Sequence, residues 1–287
     1  MTPNPDYHTP VYFQPRLSLL LNLGLALTLI AISMGLPRVG EADIQRGTEL
    51  AQRVYDRPNG TDQVTFGTMT LIEPGRSPRQ RQLYTFGREA TVGEIYTLIR
   101  FVAPADIENT GLLTRDYPDG STDQWVYLPA MDRARRIAAD RKGGRFVGSD
   151  LFYEDLQDRK VNMDRHRHLG IDTLHNTPVE RLESIPIDPS NSVYSQRLSW
   201  IHTDTLLPLR IDFFSPGRDE PSKRLEVHRI EPIQGYWTVM DSTMTDLTTG
   251  HQTRMTVERI RYDQGLPDTL FTQQALTDPA RERPYRP

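Results

Sequence analysis

Gly148-Ser149-Asp150 sets a hydroxyl beside a carboxylate, two of the groups from which a serine nucleophile is assembled. Such a nucleophile needs a Gly-x-Ser-x-Gly turn between a strand and a helix. Here Leu151 stands at the second Gly and no motif positions a His. Hydrolase chemistry is therefore not expected, and the chain does not read as an enzyme. Asp164-Arg165-His166-Arg167-His168 offers two imidazoles on one strand face, with Asp164 as a third ligand type. The interleaved arginines oppose a cation and no second ligand cluster follows, so the segment reads as a solvated strand face. With no cysteine in the chain, thiolate metal sites, Fe–S clusters, disulfides and a Cys nucleophile are all excluded. No metal or cofactor is expected.

The remaining candidates bind rather than react. Arg133, Arg135, Arg136, Arg141, Lys142 and Arg145 surround Gly143-Gly144, with Asp132 and Asp140 as partial counter-charges. A basic hairpin of this kind suits anionic lipid headgroups or an acidic partner. Trp125, Tyr127, Trp200, Phe213, Trp237 and Met240 supply large apolar surface, and methionine adapts to irregular ligands. His202 shares a strand face with Leu198 and Trp200, which predicts a buried, hydrogen-bonded imidazole.

These residues sit in a chain that reads as strands. One helix is expected, Asp43 to Arg57, ended by Pro58-Asn59-Gly60. Thereafter apolar and polar residues alternate. Leu209, Ile211 and Phe213 oppose Arg210 and Asp212, and Leu225 and Val227 oppose Arg224, Glu226 and His228. Period-two patterning means one face buried and one wet. About ten or eleven such segments, separated by turns drawn from 22 Pro and 19 Gly, predict a barrel or a strongly curved antiparallel sheet. A single helix covers only part of such a sheet, which leaves room for a cavity. The net charge of −4 argues against a nucleic-acid partner.

Residues 1–42 read as a signal peptide or signal anchor: Arg16, the uncharged run Leu17 to Leu36, and a small-x-small site ending at Ala42. Either reading puts the rest of the chain outside the cytoplasm, in the periplasm, free or tethered to the inner membrane by residues 17–36. One domain is expected over 43–277, and a disordered tail over 278–287.

The segment Phe146-Val147-Gly148-Ser149-Asp150-Leu151-Phe152-Tyr153-Glu154-Asp155-Leu156 resembles the signature of the outer-membrane lipoprotein-sorting family, in its LolA-like branch. Pro104-Ala105-Asp106-Ile107, Gly111-Leu112-Leu113, Trp125-Val126-Tyr127-Leu128-Pro129-Ala130, Arg135-Arg136-Ile137 and Gly235-Tyr236-Trp237 follow the same family's order. The Gly148–Asp155 stretch is not part of the LolA pattern itself. The resemblance implies a mainly β fold with a few helices: an incomplete antiparallel β-barrel closed by a helical lid over an apolar cavity. It also implies a carrier for a lipid or an acylated protein. The alternative it implies is a non-carrying accessory of an RND-type inner-membrane exporter. In this reading Phe146, Leu151, Phe152, Tyr153 and Leu156 form the lid, and Ser149 or Asp150 caps a short helix.

Overall fold

A computed structural model describes residues 39–287. The apolar run Leu17 to Leu36 lies outside the described residues. The expected helix is present, two residues shorter at its end and four longer at its start, as α1 (Val39–Tyr55). Among the described residues no helix is long and apolar enough to cross a membrane.

Thirteen strands follow: β1 (Asp62–Ile72), β2 (Arg79–Thr91), β3 (Glu94–Ala103), β4 (Gly111–Asp116), β5 (Thr122–Leu128), β6 (Arg133–Arg136), β7 (Asp164–Leu174), β8 (Thr177–Pro186), β9 (Gln196–His202), β10 (Pro208–Phe214), β11 (Lys223–Ile233), β12 (Tyr236–Asp246) and β13 (Gln252–Tyr262). A five-residue helix α2 (Gln273–Thr277) lies beyond them. All the strands join one antiparallel sheet in the order β6-β5-β4-β3-β2-β1-β13-β12-β11-β10-β9-β8-β7. The sheet is open, with β6 and β7 as its edges, so the expected barrel remains unclosed.

This order has one topological consequence. β6 and β7 are consecutive in sequence and lie at opposite edges. The linker between them, residues 137–163, must therefore cross a face of the sheet.

The register identifies that face. Paired residues share a side, and the row Thr65–Thr85–Ile99–Leu112–Val126 runs through the first wing. Ile99, Leu112 and Val126 pack with Phe101, Met69 and the linker residue Phe146, which defines an inner face. In the second wing the row Leu71–Thr253–Met244–Leu225–Ile211–Ser199–Leu182 lies on the same side. Its far end is covered by Leu50, Ala51 and Val54 of α1. A Cβ at Gly47 would lie 2.7 Å from the backbone of Arg167, so only glycine allows α1 this close to β7.

The outer face of the first wing is buried too. Val64, Phe86, Leu98 and Leu113 pack under Leu266, Leu270, Phe271 and Leu276. The tail expected to be disordered departs from that reading: Glu282 is fully buried there and ion-paired to Arg100, Nε to Oε1 at 3.0 Å. The charged and proline-rich composition of residues 278–287 concealed one carboxylate with a buried partner.

Asp116, at the end of β4, is 2 % exposed. Burial pushes its carboxyl up to about 6 from an ordinary 3.8, opposed by hydrogen bonds from the Thr122 hydroxyl and the backbone. The folded chain therefore holds a proton that the unfolded chain releases between roughly pH 4 and 6. Stability contributed by this group falls as pH rises through that window. Asp116→Asn is expected to remove the slope and to gain about 2–3 kcal/mol relative to wild type on going from pH 4 to pH 7. Urea unfolding at the two pH values checks this, and an unchanged difference between the two proteins would contradict it.

Candidate ligand cavity

The linker is a succession of 3-10 turns and not a helical lid. Phe146, fully buried, sits 5.7 Å from Phe101 and 6.0 Å from Tyr153, ring to ring. Leu151, Tyr153 and Leu156 join the first-wing cluster, while Leu151 and Phe152 also meet Tyr194, Phe213 and Met244 of the second wing. Of the residues expected at a cavity, the lid set and Phe213 thus come together, but they pack against the sheet and fill the space between the wings. Val147 adopts a left-handed conformation (φ 47°), costly for a β-branched residue, and is held between buried Phe146 and Gly148.

The three carboxylates of the signature explain its spacing. Asp150 accepts from Thr253 Oγ1 at 2.8 Å and meets His251 Nδ1 and Arg145. Glu154 accepts from Arg197 Nη2 at 2.7 Å, Val193 N at 2.7 Å and Ser192 Oγ. Asp155 accepts from Lys223 Nζ at 2.6 Å, Tyr194 Oη at 2.7 Å and Phe152 N at 2.7 Å. Lys223 Nζ also lies 3.6 Å over the Phe152 ring. Burial pulls the Lys223 ammonium down, against the opposing effect of Asp155, and pushes the Tyr194 phenol up. Each acid ties the linker to the second wing. Neither Ser149 nor Asp150 caps a helix, because the Ser149 hydroxyl bonds the Phe146 carbonyl and Asp150 faces β13.

The other expected residues lie apart. Trp125 and Tyr127 belong to the outer face, beneath the C-terminal segment. Trp200 pairs with Arg210, whose guanidinium stacks 4.3 Å above the indole on the face away from Leu182 and Ile201. Trp237 is 42 % exposed and Met240 is buried, both on β12. The basic stretch does not form one hairpin. Arg133 and Arg135 are exposed on β6 and Arg136 pairs with Asp123, whereas Arg145 turns to Asp150 and Asp246. The histidines of β7 also differ from the solvated reading: His166 is 6 % exposed and bonds the Ser184 hydroxyl and the Val161 carbonyl. Among the described residues no group of three or more His, Asp or Glu side chains is placed to hold a metal ion.

A hollow of about 640 Å³ opens where β10 and β11 separate. Their pairing runs from Phe213–Lys223 to Arg210–Glu226 and stops there. Bulges follow on both strands, at Pro208–Arg210 and at Val227–Ile230. A bulge breaks the ladder and re-aims side chains, and here the freed residues Leu209, Val227 and Ile230 line the hollow with Leu174. The rest of the lining is polar: His175, Thr177, His202, Arg210, Glu226, His228 and Arg229. The backbone N–H groups of Asp204 and Thr205 donate to His202 Nδ1 at 3.1 and 3.3 Å, which leaves the ring proton on Nε2. A mixed apolar and polar lining suits an amphiphile, and the volume falls in the range of small-ligand clefts, about 300–1,000 Å³. Sequence reasoning placed Leu209 and Val227 on one face, but alternation does not reveal where two strands part.

A second, smaller hollow of about 220 Å³ lies by the end of α1. It is lined by Arg57, Leu207, Trp237, Val257, Ile260 and Tyr262 among others.

An open antiparallel sheet carrying a helix and a long linker on its inner face defines a LolA-like fold. A LolA superfamily protein from Nitrosomonas europaea shares it, at TM-score 0.63 and 17% identity, over 81% of this chain and 99% of that one. A Vibrio parahaemolyticus domain named for outer membrane lipoprotein sorting matches at TM-score 0.77 and 29% identity, over 82% and 99%. A DUF1329 family protein from Desulfovibrio piger matches at TM-score 0.77 and 30% identity, again over 82% and 99%. A family model described only as an uncharacterized protein matches residues 93–278, and no curated protein matches. The chain belongs to the DUF1329 family of LolA-like proteins.

Proposed function

We propose that this protein is a periplasmic carrier that shields the acyl chain of a lipid or acylated protein from water, serving outer-membrane lipid or lipoprotein transport, and that it binds without catalysing a reaction. The observation that carries this reading is the hollow between β10 and β11, with its mixed aliphatic and polar lining. The lipoprotein-sorting name of the Vibrio relative supports it. No reactive group is needed, because each methylene removed from water contributes about 0.8 kcal/mol. Filling the hollow with Val227→Trp is expected to displace about four methylenes, ~3 kcal/mol, and so to weaken a fluorescent fatty acid more than about 100-fold. Titration of that probe checks it, and unchanged affinity in the folded variant would remove this hollow from consideration.

A second reading is a non-carrying accessory that docks on an RND-type exporter. It is favoured by the linker, whose side chains occupy the inner face between the wings. Capture of an exporter by crosslinking, from protein that binds no lipid, would select it.

A further inference from the structure

An open sheet has two edges, and here they differ. At β7 the helix α1 packs on the strand, where Gly47 meets the backbone of Arg167. At the other edge β6 has β5 on one side and no strand on the other. The ladder tells which of its backbone groups are free. Ile137 N donates to the Gln124 carbonyl at 2.8 Å. In an antiparallel pair such bonded residues alternate with residues whose N–H and C=O point away from the partner. Arg135 and Arg133, opposite Val126 and Leu128, therefore bond β5, while Ala134 and Arg136 present their N–H and C=O outward. Among the described residues these outward groups have no hydrogen-bond partner.

Charge decides what can pair there. Arg133, Arg135 and Arg136 are all exposed. Arg136 is held by Asp123 of β5. Arg133 and Arg135 share the opposite side of the strand and have no ion-pair partner among the described residues. The adjacent Asp132 accepts from the Tyr127 hydroxyl at 3.2 Å. A second copy of this chain would set arginine against arginine across the new pair, and like charges directly opposite destabilise a ladder. Charged edges oppose self-pairing in this way, yet the same arginines favour a strand of opposite sign.

We propose that β6 is the docking edge for an extended acidic segment of a partner protein. The segment adds to the sheet beside β6, bonds the free backbone groups of Ala134 and Arg136, and sets carboxylates opposite Arg133 and Arg135. Strand addition takes its affinity from such main-chain bonds and its specificity from the side chains alongside. The inference goes beyond the carrier reading and does not rest on it.

The test offers the purified protein a fluorescent peptide of alternating Glu and Val, and the same peptide N-methylated at every residue, which keeps the charge and has no N–H to pair. The unmodified peptide is expected to bind at least about 10-fold more tightly. Arg133→Glu combined with Arg135→Glu should weaken it by about 10- to 30-fold, with circular dichroism unchanged because both side chains are exposed. In wild type the bound peptide should slow hydrogen exchange at the Ala134 and Arg136 amides, a readout that needs no variant. Equal binding of the two peptides, no binding of either, unprotected amides at saturation, or full affinity in the double variant would overturn the proposal. Binding of phosphatidylglycerol vesicles that is lost in the double variant, by protein that ignores the peptide, would assign the arginines to a membrane and overturn it too.

Discussion

Glu282→Ala is expected to lower the unfolding free energy by about 3–5 kcal/mol, the cost of stripping one partner from a buried ion pair. Arg100 projects from β3 to the outer face and is fully buried. Its Nε meets Glu282, its Nη1 donates to the Asn109 carbonyl at 2.6 Å, and its Nη2 donates to the Leu276 carbonyl at 2.7 Å. Burial pulls the guanidinium down, and Glu282 is the chief charge that sustains it. Without Glu282 only the carbonyl dipoles of Asn109, Ala275 and Leu276 face an uncompensated cation. Docking of the C-terminal segment, which covers Val64, Phe86 and Leu98, would weaken with it. Urea unfolding measures the change. A loss below about 1 kcal/mol would show that residues 278–287 do not dock. The pair replacement Arg100→Met with Glu282→Leu should recover most of the loss, because a buried ion pair exchanged for apolar side chains is often neutral or better.

Phe146→Ala should cost a similar amount, about 3–5 kcal/mol, by the loss of a buried aromatic and the cavity left behind. Phe146 is the point at which the linker enters the core, between Phe101 and Tyr153. Its removal should also raise hydrogen exchange at residues 146–156, which the Asp150, Glu154 and Asp155 contacts alone would then hold. Calibrated denaturation with exchange read by mass spectrometry checks both. A variant as stable as wild type, with unchanged exchange, would mean that the linker does not plug the inner face.

The later strands were legible because one side is wet. In β9, β10 and β13 the polar partners of each apolar residue mark the period directly. β4 was hidden for the converse reason: Leu112 faces the linker and Leu113 faces the C-terminal segment, so both sides are buried and no alternation survives. The signature Phe146–Leu156 was recognisable, but its role was not. Asp150 read as a helix cap, whereas the partners of Asp155, Glu154 and Asp150, namely Lys223, Arg197 and His251, lie some 40 to 100 residues further along. A separation of 182 residues likewise hid Glu282 from Arg100. The β10–β11 hollow depends on bulges at Pro208–Arg210 and Val227–Ile230, which composition does not announce.

Native mass spectrometry of the protein released intact from a bacterial envelope tests the central claim most directly. The account predicts a population carrying a non-covalent adduct that extraction identifies as an acyl lipid, depleted in Val227→Trp. Protein that is uniformly of apo mass, and that takes up no fatty acid when offered one, would contradict it.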